Sequence, residues 1–189
     1  MWLLILLSLL LIFYPFSLNH FFSPAHPDPL FLFAHSSPTH LLTNFLSIFI
    51  IYLLSKKLHL NERRLFIVFF VTSFSTLFIS LLFDLPVLGS SVGVYGMAGF
   101  ILPELSLLVP VWLSYSILFL SILLTPSSSL PWDKLFHVFG LTFGLVLRYF
   151  RDYRSILYIS RLKDMGYDRY AIIGIGYYPR SYVVEYQRQ

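Results

Sequence analysis

Residues 89–99 read GSSVGVYGMAG. Gly89, Gly93, Gly96 and Gly99 recur at helical spacing, so a helix built here carries almost no side chain over part of its surface and lets another backbone approach closely. Ser90 and Ser91 stand at its start, where the free N–H groups of the first turn and the positive end of the helix dipole suit a developing oxyanion. Small-residue packing between helices explains the same pattern with no chemistry at all. Both readings put the segment at the centre of a helical bundle, and the flanking sequence shows what kind.

The chain is 57% hydrophobic and 12% charged over 189 residues, with a mean hydropathy of +0.76. Soluble domains are about 25% charged, so this is an integral membrane protein. It has no cysteine, which excludes disulfides, thiolate nucleophiles and cysteine metal sites. The net charge of +4 fits basic residues retained on the cytoplasmic side. No basic stretch is paired with a module that reads nucleic acid.

Outward from the glycines, the apolar runs predict six spans. Residues 2–18 lack a charged n-region and an A-x-A-like cleavage site, and read as a retained first span rather than a signal peptide. Pro38–Leu54 and Leu65–Phe83 supply the second and third. The long apolar stretch from Val92 to Thr125 divides at Pro103, Glu104 and Pro110 into a fourth span ending near Leu102 and a fifth ending near Leu124. Leu135–Phe150 is the sixth. Ser90 to Leu102 is 13 residues, roughly 20 Å against a hydrocarbon core of about 30 Å, so a short fourth helix would start below the outer surface with its serine facing a wet recess.

Six spans with both termini inside place twelve of the thirteen Lys and Arg residues on one side, Lys134 alone being opposite. The expected fold is thus all-α, a six-transmembrane-helix bundle with a short central fourth helix and cytoplasmic termini. Residues 1–150 form the membrane domain and 151–189 a basic, Tyr-rich tail. The tail's apolar stretch YAIIGIGYY is too short to cross, and its arginines suit anionic headgroups at the membrane surface.

Polar side chains within spans are costly in hydrocarbon and therefore informative. Ser37 and Pro38 read as N-cap and first residue of the second span, which puts His40 in the first turn, Asn44 on the same face at i+4, and His35 just outside. These donors could close a helix end against loop backbone, or serve a site. On the sixth span His137, Gly140 and Gly144 share a face, and the glycines permit tight contact with another small-residue helix. His137 could then meet Ser91 at similar depth.

Together the three clusters resemble the rhomboid intramembrane serine proteases. The family's marks are H-x4-H-x3-N on the second span, G-x-S-G before a small-residue helix on the fourth, and H-x2-G-x3-G on the sixth. Here they read His35, His40 and Asn44; Gly89, Ser90, Ser91 and Val92, continuing to Tyr95 and Gly99; and His137, Gly140 and Gly144. The match covers roughly residues 1–150. It implies Ser91 as nucleophile, His137 as general base, His40 and Asn44 with the Ser91 N–H as oxyanion donors, Tyr95 packed on the His137 ring, and His35 supporting the loop. Gly93, Gly99, Gly140 and Gly144 would pack helices. Two features depart from the pattern: Val92 replaces the glycine after the nucleophile, and the first connection is short, without the Trp-Arg pair of many relatives. With Val92 in that place, Ser90 is the alternative reacting hydroxyl, and the spacing to Tyr95 and Gly99 favours Ser91.

The resemblance implies an endopeptidase that cuts transmembrane-helix substrates near the outer membrane face by a Ser-His dyad, with no cofactor and no metal. Asp133 lies at i−4 from His137, but an acid in a first helical turn is accounted for by the dipole. A catalytically inactive rhomboid-like protein that binds membrane helices is the alternative. It would have no need of Ser91, His137, His40 and Asn44 together. Transport lacks a paired intramembrane acid and base, and a metalloprotease lacks H-E-x-x-H.

Overall fold

The computed structural model describes residues 1–17, 29–33, 35, 37–87, 89–105, 109–124 and 132–164. Among them six helices follow in order: α1 Trp2–Ser17, α2 Pro38–Lys57, α3 Glu62–Phe83, α4 Gly89–Leu105, α5 Val111–Leu124 and α6 Asp133–Asp164. A 3-10 helix, Pro29–Phe33, precedes α2. The protein is helical throughout the described residues, as its composition implies. By length and composition α2 and α3 can each cross a bilayer. Residues 1–147 form one compact unit and residues 148–189 another. The connection 125–131 and the tail from 165 onward, YAIIGIGYY included, lie outside the described residues.

Helix ends follow local chemistry. Ser37 caps α2, its hydroxyl accepting the His40 N–H at 3.1 Å, and Pro38 opens the helix with its fixed φ. At the other end Leu58 N–H returns to Leu54 O at 2.8 Å, His59 takes a left-handed φ of 51°, and Asn61 caps α3 by accepting from Arg63 and Arg64 N–H. Glu62 accepts from both Lys56 and the Met1 amino group, tying together the start of α1, the end of α2 and the start of α3. At the opposite end of the bundle Asp84 ends α3 in the left-handed conformation, Ser80 Oγ donates to Leu85 O, and Trp132 Nε1 donates to Pro86 O at 3.0 Å. That last bond fixes where α6 begins relative to the segment that leads into α4.

Two helices differ from expectation. The fourth runs beyond the expected 13 residues: α4 has 17 and carries Pro103 inside it, about 25 Å and still shorter than a hydrocarbon core of about 30 Å. Proline forfeits one backbone bond, and with two residues left in the helix that loss is small. α6 continues to Asp164, fourteen residues beyond the expected end of the sixth span. The arginines that end an apolar run do not end a helix, and residues 145–164 contain no glycine or proline. Arg148 and Asp152 pair at i,i+4, Nε to Oδ2 at 2.9 Å, within the extension.

The helix that carries the serines is the centre. Every residue from Ser90 to Leu102 is buried, the condition of a helix enclosed on all sides. One cluster joins Leu3, Leu6 and Leu10 of α1, Ile48 of α2, Phe69 of α3, and Met97 and Ile101 of α4. A second, Phe31, Leu32, Val87, Val92 and Phe136, gathers at the outer end around the start of α4. The outward faces carry exposed Leu4, Ile12, Val71, Phe78, Leu82, Trp112 and Ile117. Apolar surface of that extent belongs in acyl chains.

Glycine sets the spacing on two sides of α4. A methyl group at Gly93 would strike Ser73 and Phe69 of α3, and one at Gly96 would strike Thr72. On the α6 side the contact is main chain on main chain: a methyl at Gly99 meets the Leu141 carbonyl, one at Gly140 the Val92 carbonyl, and one at Gly144 the Gly96 carbonyl. At each of these positions a side chain larger than hydrogen would meet a neighbouring helix.

Candidate active site

The glycine contacts with α6 bring His137 onto α4. Its ring packs against Tyr95 with centroids 4.6 Å apart at 33°, and Ser91 lies one helical turn before Tyr95 on the same face. Ser91 and His137 are both fully buried. Among the described residues Ser91 Oγ has no hydrogen-bond partner, and neither has either ring nitrogen of His137. Ser91 and His137 thus stand on facing helices and are not joined by a hydrogen bond.

Asp133 is buried as well, with its Oδ1 3.7 Å from His137 Nε2. Compensation of the helix dipole alone would leave such an acid at the surface. Here the Trp132–Pro86 bond draws the first turn of α6 inward, so the carboxylate faces the imidazole.

The polar start of α2 enters from the other side. His40 and Asn44, on one face as the spacing requires, are 0% and 4% exposed. His35 is fully buried and meets His40 edge-on, ring centroids 5.4 Å apart at 71°. Its Nδ1 donates to the Phe33 carbonyl at 2.7 Å. Burial first, and the neighbouring His40 second, push the His35 imidazole down to about 4, so the ring is neutral with its lone pair on Nε2.

Sequence reasoning offered Ser90 only as the alternative reacting hydroxyl, yet this side chain joins the two histidine-bearing segments to α4. Asn44 Nδ2 donates to Ser90 Oγ at 3.3 Å, and Ser90 Oγ lies 3.4 Å from His35 Nε2. The only sign in the sequence was a second polar residue beside Ser91 at a position that ought to be apolar. Val92, which stands where a glycine was expected, does not crowd the hydroxyls. It is buried in the outer cluster, with its carbonyl and Cγ1 against Gly140.

Chemically the arrangement offers a hydroxyl, an imidazole set by an aromatic ring and flanked by a carboxylate, and imidazole and amide donors opposite. That set suits acyl transfer. A family model described as Rhomboid domain matches residues 30–154. No curated protein and no solved structure matches the chain.

Proposed function

The chain belongs to the rhomboid family, a family of intramembrane proteases, and on that premise we propose that it is an active serine endopeptidase cutting transmembrane-helix substrates near the outer membrane face. Ser91 Oγ attacks the scissile carbonyl while His137 takes its proton, then returns it to the leaving amine. The tetrahedral oxyanion receives hydrogen bonds from the Ser91 N–H, His40 and Asn44, and water then releases the acyl-enzyme. The observation that carries this reading is the Tyr95 ring against His137, which holds the imidazole over the face of α4 that bears Ser91.

The surrounding architecture is proposed in the same terms. Six spans cross the cell membrane with both termini cytoplasmic, a count supported by the twelve basic residues that it gathers on one side. Residues 1–150 are the catalytic membrane domain, and the 151–189 tail rests on anionic headgroups. Substrate helices enter between α2 and α5, as the resemblance implies, and unwind locally to present a peptide bond.

The test is labelling of the protein in detergent with a serine-directed phosphonate, followed by mass spectrometry of the modified peptide. The expected adduct is on Ser91; no adduct, or one on Ser90, overturns the assignment. Asn44→Ala is expected to lower kcat on a fluorogenic transmembrane substrate by a factor on the order of 10² if the amide donates to the oxyanion. Unchanged turnover would remove Asn44 from that role.

A further inference from the structure

The hydrogen bonds through Ser90 form a directed chain. The Phe33 carbonyl can only accept, so His35 Nδ1 carries the proton and Nε2 is left an acceptor. Ser90 can then give its proton to Nε2 while its oxygen accepts from Asn44 Nδ2. Every donor and acceptor in the chain has one consistent role. His35, Ser90 and Asn44 are 0%, 0% and 4% exposed, so the chain runs within the protein interior.

We infer that Ser90 is a positioning residue: its hydroxyl anchors the Asn44 amide to His35 and thereby aims it at the reacting carbonyl beside Ser91. This rests on the serine-protease reading above. An asparagine amide has two N–H groups in one plane. With one of them bound to Ser90 Oγ, the plane of the amide is fixed and the second N–H is presented in a set direction. Ser90 also precedes Ser91 directly, so Asn44 is registered against the same first turn of α4 whose N–H groups meet the oxyanion. A preorganised donor costs no reorganisation at the moment of reaction. Both contacts are long, at 3.3 and 3.4 Å, as catalytic hydrogen bonds often are without substrate.

The role is specific to a hydroxyl. Alanine at 90 would withdraw a partner from Asn44 Nδ2 and from His35 Nε2 at once. Cysteine keeps nearly the same shape but donates and accepts weakly, which separates hydrogen bonding from packing.

The experiment measures kcat, KM and thermal unfolding in detergent for wild type, Ser90→Ala, Ser90→Cys, Asn44→Ala and the Ser90→Ala/Asn44→Ala double variant. Ser90→Ala is expected to lower kcat roughly 10- to 100-fold with little change in KM, the size of effect a misaimed catalytic group produces. Ser90→Cys should fall close to Ser90→Ala. The double variant should be little slower than Asn44→Ala alone, and the shifts in Tm should likewise be non-additive. Additive effects on kcat, or an unchanged kcat in Ser90→Ala, overturn the inference. So does complete loss accompanied by a phosphonate adduct on Ser90, which would make it the nucleophile. A wild type that cleaves nothing defeats the protease reading; the unfolding cycle then still decides whether Ser90 and Asn44 are coupled, additivity counting against and non-additivity in favour.

Discussion

Ser91→Ala is expected to abolish cleavage of a reconstituted transmembrane substrate, a fall on the order of 10⁴-fold or more, since removing a nucleophile that works with a single base forfeits the covalent route entirely. The structure adds a second expectation that distinguishes chemistry from folding. Ser91 Oγ is buried and without a hydrogen-bond partner among the described residues, and a buried hydroxyl in that condition costs about 1–3 kcal/mol. Its removal should leave Tm unchanged or raise it slightly. Loss of activity together with a lower Tm would show that the hydroxyl holds the fold and not the reaction, and full activity would end the assignment. Ser90→Ala, which removes two hydrogen bonds, should have the opposite signature in stability.

Gly144→Val is expected to produce the largest structural effect. The nearest neighbours of an added Cβ are the Gly96 carbonyl and the Phe100 nitrogen of α4, all main-chain atoms. A flexible side chain could swing aside, but here only a whole helix can move. Overpacking of ordinary cores costs about 1–3 kcal/mol, and valine against backbone should reach or exceed the top of that range. The measurement is thermal unfolding in detergent, with an expected fall in Tm on the order of 10 °C, or no recovery of monodisperse protein. Val146→Leu is the control: Val146 is 41% exposed on the same helix, and exchange of one lipid-facing apolar residue for another should change Tm little. Equal behaviour of the two variants would show that α4 and α6 are not in the contact described.

Much of this was legible in the chain because hydrocarbon is an unforgiving solvent. A polar residue within an apolar run has to be explained, so His40, Asn44, Ser91 and His137 stood out before any geometry was known. Helical spacing then placed Tyr95 one turn from Ser91 and assigned Gly140 and Gly144 to one face. What could not be read was set by tertiary contact. Nothing in the sequence distinguishes an acid that answers a helix dipole from Asp133 turned inward by the Trp132–Pro86 bond. Nor does Ser90 reveal that it faces α2, because the partners that give it meaning lie 46 and 55 residues away. That α6 runs past the end of the sixth apolar run has a related reason. Hydropathy reports where the bilayer ends, whereas hydrogen bonding decides where a helix does.

The backbone seam between α4 and α6 has a bearing on how such a protein can diversify. Where carbonyls rest against glycine α-carbons, the separation of the two helices is dictated by the peptide unit itself and owes nothing to any rotamer. Side chains elsewhere in the bundle can therefore be exchanged over generations without shifting the helix that bears Ser91 relative to the helix that bears His137. Precision is lodged in the part of the molecule that substitution touches least, and novelty is left to the rest.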